Sequence, residues 1–161
     1  MTVAVADTNE PSLAFWPDSA AQADRTIQLA SRFDEVSETL VTLRPWLTHR
    51  IGSECGSAWE LALAECLNNI VKHAYQGKAD HMIDLWISVR QDSLCVTLRD
   101  SGQPMPQATL PQSRRPDLEC HRDALPEGGF GWFLIHALTS DLVYTRKAGM
   151  NWTGFKVSLR D

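Results

Sequence analysis

Val36, Leu40, Leu43 and Leu47 recur at spacings of three and four and predict an amphipathic helix over residues 34–50, with Pro45 placed to kink or shorten it. The stretch ELALAECLNNIVKHAY, residues 60–75, puts Leu63, Leu67, Ile70, Val71 and Ala74 on one apolar face of a second helix. Ser57, in the break GSECGS, is a plausible N-cap for it, and Gly77 is placed to end it near Tyr75. The period then changes from helical to alternating. TIQLA (26–30) suits a short strand. MIDLWISVR and SLCVTLRD place Ile83, Leu85, Ile87 and Val89, then Leu94, Val96 and Leu98, on single faces of two strands, with a hairpin turn at Gln91-Asp92-Ser93. An apolar helix opens just after glycines in FGWFLIHALTS (130–140), and DLVYTRK and TGFKVSLR read as closing strands.

These elements sum to an α/β two-layer sandwich, with three main helices packed on one face of a mainly antiparallel mixed sheet. Residues 1–24 read as a loose N-terminal tail and 25–161 as one domain. Within it, residues 101–129 hold five prolines and three glycines and form an irregular stretch too long for an ordinary connection, as in a functional lid. No internal repeat is present.

Bulk properties narrow the function. A chain of 161 residues suffices for one domain with a proper core. A net charge of −5 without a basic run argues against nucleic acid as a direct partner. No apolar run approaches the roughly 20 residues of a membrane span, and the first residues lack a signal-peptide pattern. Cys55, Cys66, Cys95 and Cys120 form no CxxC and no metal-ligand spacing, so the expectation is a reduced, cytoplasmic protein.

Three constellations carry candidate chemistry. Glu65, Asn69 and His73 follow one another at four-residue steps of about 400°, which sets them in one row along the second helix. A wet helix edge would give the same pattern. An amide oxygen also suits Mg²⁺, and a carboxylate one turn away can take a proton from a nucleophile. In RDSGQPMP (99–106) an acid leaves a strand and enters a turn at Gly102. Asp and Gly are common at strand ends, yet Asp100 could equally accept from an exocyclic amine while Gly102 allows close approach. In EGGFGWFLI (127–135) glycines precede a helix whose first N–H groups suit phosphate oxygens. The segment lacks the GK[ST] of a P-loop and does not follow a strand.

In order and spacing, ExxxNxxxHAY, a hairpin, DxGxP, a lid and GGxGxxLI before two strands resemble the anti-sigma-factor serine/threonine kinases. These belong to the GHKL, or Bergerat-type, ATP-binding superfamily of gyrase, heat-shock chaperone, histidine-kinase and mismatch-repair domains. The likeness covers about residues 26–160. The HAY and the proline after DxG are closer to the anti-sigma branch than to sensor histidine kinases.

The resemblance implies ATP and Mg²⁺ as cofactors. Asn69 would be the magnesium ligand and Glu65 the general base acting on a protein hydroxyl. Asp100 would bind the adenine amine, with Gly102 near the ring and Thr153 near adenine through its hydroxyl. Gly129 and Gly131 would hold phosphates, and Arg114, Arg115 and Arg122 are open candidates for the γ-phosphate. His73 falls with the ATP-binding residues, its part open between support and chemistry. Trp132 and Trp152 depart from the family pattern, standing where leucine and glycine are usual. The implied activity is a bacterial protein serine/threonine kinase working by partner switching, as a homodimer. It would sequester a sigma factor and phosphorylate a small anti-anti-sigma antagonist, and so regulate transcription. The alternative is an ATP-binding regulatory module that sequesters its partner with little or no catalysis. A third reading, coincidental turns and caps, needs three independent motifs to fall in order by accident.

Overall fold

The structure is a computed structural model in which residues 23–52, 56–112 and 129–159 are described. Strand β1 (Arg25–Ala30) leads into helix α1 (Phe33–Ile51) and then α2 (Ala58–Asn69). A π-helical turn, Ile70–Ala74, continues α2 without a break. The hairpin of β2 (Met82–Arg90) and β3 (Ser93–Asp100) follows, then a 3₁₀ turn at Pro106–Ala108, α3 (Gly129–Leu138), β4 (Ser140–Lys147) and β5 (Met150–Ser158).

The sheet runs β1-β2-β3-β5-β4, and all of its pairings are antiparallel. The two-layer sandwich is thus the one expected, but among the described residues every strand pairing is antiparallel rather than mixed. Alternation sets the layers. Ile83, Leu85 and Ile87 of β2, Leu94, Val96 and Leu98 of β3, and Phe155 and Val157 of β5 are all buried in one core with Leu63 and Leu67 of α2. α3 packs chiefly on α2, and α1 contributes Val36, Leu40, Leu43 and Leu47 to the same core.

Three local expectations are corrected. Pro45 does not shorten α1, which continues six residues past it to Ile51. Its exposed position leaves the missing N–H on the solvent side of the helix. Ser57 occupies the N-cap position of α2, but its side chain makes no capping bond. Its backbone is already helical, so the hydroxyl is not aimed at the first N–H groups, and Ser57 serves instead through its carbonyl, which accepts from Glu60 and Leu61. The hairpin turn is tighter than expected, since Ser93 already pairs with Arg90. Gly77 does close the helical stretch: at φ +74° it adopts the left-handed backbone that favours glycine, and its N–H bonds the Val71 carbonyl.

A proline inside a helix costs about 3 kcal/mol relative to alanine, of which up to about 1 kcal/mol is offset by the stiffer unfolded chain. Pro45→Ala is therefore expected to raise stability by about 2–3 kcal/mol. Denaturant titration with unchanged m-value would register it, and a neutral or lower midpoint would contradict the account of α1.

Candidate functional site

The π-helical turn shapes the site. Up to Asn69 the helix has the regular period, so Glu65 and Asn69 stand one above the other. From Ile70 the wider turn sends the Tyr75 N–H to the Ile70 carbonyl, which leaves His73 short of the straight row the sequence implied. The widening leaves the carbonyl of Ala74 available to the segment that follows β3, and it accepts the N–H of Gln103 at 2.8 Å.

Gly102 passes against the same residue. A Cβ there would lie 2.6 Å from the Ala74 carbonyl oxygen, so no side chain fits without displacing backbone. Tyr75, almost fully buried, completes the latch: its hydroxyl donates to the Met82 carbonyl and accepts the Ser101 N–H, each at 2.8 Å. Ala74 and Tyr75 of the HAY thus anchor the loop that begins just after Asp100. Gly102 meets the protein's own backbone here and is not among the cavity-lining residues, although the resemblance placed it near the ring.

A cavity of about 410 Å³ opens between α2, its π turn, the loop after β3 and strands β4 and β5. That is an ordinary size for a small-molecule site. Of the residues marked in the sequence, Asn69, His73, Asp100 and Thr153 line it. Trp132 forms part of its wall. Glu65 does not line it, and lies half-buried one turn before Asn69. Gly131 sits against that carboxylate, since a Cβ there would fall 2.5 Å from a Glu65 oxygen. Gly129 starts α3. The lid residues Arg114, Arg115 and Arg122, and most of the glycine-rich lead into α3, lie outside the described residues. The near end of the lid is tied to α3 through His136, whose Nε2 is 2.8 Å from the Pro111 carbonyl.

Thr153 faces the cavity because β5 alternates. Trp152 points to the opposite side of the sheet and stacks on Trp86 at 5.7 Å, with the Arg99 guanidinium 5.2 and 5.3 Å from the two rings. The bulky residue before the threonine therefore leaves the cavity untouched.

Asp100 is 3% exposed and stands directly opposite Asn151 in the β3–β5 register. Its Oδ1 accepts from the Gly102 N–H at 2.9 Å and from Asn151 Nδ2 at 2.7 Å. Among the described residues no donor reaches Oδ2, the acceptor left for a ligand. Burial pushes the carboxyl above the ordinary aspartate range, outweighing the Asn151 and Gly102 hydrogen bonds and the nearby Arg146 charge that draw it down. Asn151, Tyr144 and Met105 also line the cavity and went unmarked in the sequence. Asn151 had a signal: it shares the inward phase of Thr153, Phe155 and Val157, where a polar residue needs a partner.

Asn69 supplies the test for a cation. Its buried Nδ2 has no hydrogen-bond partner among the described residues, although the residue lines the cavity. Such an amide awaits a polar ligand. It can offer its nitrogen to a phosphate oxygen or, turned over, its oxygen to Mg²⁺. Among the described residues no group of three or more His, Cys, Asp or Glu could hold a metal unaided. Cys66, also on the wall, is fully buried, and burial raises its thiol pKa so far that it acts as an inert apolar residue. Cys66 and Cys95 are free thiols. Among the described residues no helix is long and apolar enough to cross a membrane.

Comparison with known proteins adds the following. The histidine kinase-like ATPase domain family matches residues 29–157. The serine-protein kinase RsbW of Staphylococcus aureus (strain bovine RF122 / ET3-1) is 29% identical over 93 residues, covering 56% of this chain and 58% of the relative. RsbW of strain JH9 is 28% identical with the same coverage. The chain thus spans 58% of the length of these curated relatives. Among solved structures, the Acinetobacter baumannii histidine kinase AdeS aligns over 85% of this chain and 70% of its own, at 15% identity and a TM-score of 0.38.

The raised pKa of Asp100 has a stability consequence. The folded protein holds this proton more tightly than the unfolded chain does. The resulting stability is fully present below the ordinary aspartate value and is lost as pH rises through the folded one. Asp100→Asn keeps an oxygen for the two donors and removes the buried charge. It is expected to be at least as stable as the native chain at pH 7, with the native chain gaining on it as pH falls through that window. Thermal melts across a pH series measure this, and a variant that is the weaker at pH 7 would refute it.

Proposed function

We infer the function from one premise: the chain belongs to the histidine kinase-like ATPase family. On that premise the cavity is an ATP site. The exocyclic amine of adenine donates to Asp100 Oδ2, and Thr153 lies on the same wall for a further polar contact. Asn69 holds the phosphate side, with His73 beside it. Asn69 would hold Mg²⁺, which would supply charge neutralisation for phosphoryl transfer. The first turn of α3, at Gly129 and Gly131, offers backbone N–H groups to phosphate oxygens.

The activity we propose is that of a protein serine/threonine kinase of the anti-sigma-factor type. The observation that carries it is the position of Glu65, one turn before Asn69 and against the start of α3. A carboxylate there adjoins the phosphate end of the cavity, where it can orient a serine or threonine hydroxyl and take its proton. The similarity to serine-protein kinases named RsbW supports this reading. The substrate is then a small antagonist protein, and the partner held in the alternative complex is a sigma factor or similar regulator, with the kinase acting as a homodimer.

A second reading has its own observation. Glu65 packs on Gly131 and does not line the cavity, an arrangement equally suited to a module that binds ATP and sequesters a partner without transfer.

Two experiments test these assignments. In Asp100→Asn the amide oxygen stays with Gly102 and Asn151, so the NH₂ faces the cavity and meets the adenine amine donor to donor. The affinity for ATP is expected to fall at least tenfold, the scale of about 1–3 kcal/mol for an unpaired buried polar group. An unchanged dissociation constant by calorimetry would remove Asp100 from adenine recognition. For the activity, purified protein with labelled Mg-ATP and a lysate of the source cells is compared with Glu65→Ala. The native chain is expected to label one small protein, with the variant slower by roughly 10²–10⁴-fold at unchanged ATP affinity. Binding of ATP without any labelling would favour the sequestering module.

A further inference from the structure

Asn151, 3% exposed, lines the cavity with both polar atoms of its side chain engaged. Its Nδ2 is 2.7 Å from Asp100 Oδ1, 3.0 Å from the Gln103 carbonyl and 3.3 Å from the Gly102 carbonyl. Its Oδ1 accepts from the Tyr144 hydroxyl at 2.7 Å and from Arg146 Nη1. Tyr144 in turn accepts the Met105 N–H at 3.1 Å, and Arg146 also donates to the Gly102 carbonyl at 3.0 Å. These contacts fix the amide in one orientation, with its NH₂ toward Asp100, because two donors hold its oxygen. Asp100 then has one oxygen committed and the other turned to the cavity as an acceptor. A carboxylate free to rotate would have no such fixed polarity.

We infer that Asn151, held by Tyr144 and Arg146, is the positioning residue that makes the site select a 6-aminopurine over a 6-oxopurine. The inference rests on the reading of the cavity as an adenine nucleotide site. A 6-amino group donates to the fixed acceptor, whereas a 6-oxo group sets an oxygen against an oxygen and leaves both unpaired. Removing the Asn151 amide releases Asp100 Oδ1 from one of its two donors and frees Arg146, the nearest cation, to draw the carboxylate out of line with the base.

The test measures affinities for ATP and for its 6-oxo analogue, inosine triphosphate, in the native chain, Asn151→Ala and Tyr144→Phe. The native chain is expected to favour ATP strongly. In Asn151→Ala the affinity for ATP is expected to fall about tenfold and that for inosine triphosphate to change less than about twofold, so discrimination shrinks about tenfold. Tyr144→Phe keeps the ring and removes only the hydroxyl. It covers the case in which the alanine variant does not fold, and is expected to shrink discrimination in the same direction by about threefold. If native binding is selective but the folded variants lose both nucleotides in parallel, or neither, Asn151 has only a structural role and the inference falls. If the native chain does not distinguish the two nucleotides, the adenine reading itself fails and takes the inference with it.

Discussion

The contact between Ala74 and the Gly102–Gln103 backbone is the constraint on which the site depends. A loop leaving the end of a strand would ordinarily be free to swing, yet here it is pinned from two sides. The widened helical turn gives it a carbonyl to bond, and the absence of a side chain at Gly102 lets it come close enough to do so. Tyr75 adds a hydroxyl that bonds both the loop and the start of β2. Asp100, at the root of the loop, is thereby tied to the same contacts and lines the cavity.

Electrostatics then works within that frame. Burying a carboxylate is unfavourable, and the fold offsets part of the cost with the Gly102 N–H, the Asn151 amide and the Arg146 charge without cancelling it. A fully satisfied Asp100 would be more comfortable and would have nothing left for a ligand. The residual cost and the unpaired amide nitrogen of Asn69 both lie on the lining of one cavity, where binding of a polar ligand would relieve both.

Much of this was legible in the residues, and the reasons differ from element to element. The helices and strands followed from spacing, since Val36, Leu40, Leu43 and Leu47, or Ile83, Leu85 and Ile87, have a single way to face one core. Asn69, His73, Asp100 and Thr153 were marked by motif and line the same cavity. The π turn was not legible, because IVKHA has the composition of an ordinary helix. Ser57 had the right identity for a cap and the wrong backbone. Asn151 was missed because its partner, Asp100, lies far away in sequence and the two meet only through strand register. The same register shows why the unusual Trp152 is harmless: its neighbours on the far face are Trp86 and Arg99.

Trp132, on the wall of the cavity, has an optical consequence. Indole emission responds to the polarity of its surroundings and is quenched by contact with a nucleobase. Among the described residues it is the tryptophan that lines the cavity, whereas Trp86 and Trp152 are stacked together on the far side of the sheet and Trp59 is buried in the core. Filling of the cavity is therefore expected to change the emission of Trp132, with no dye or label needed.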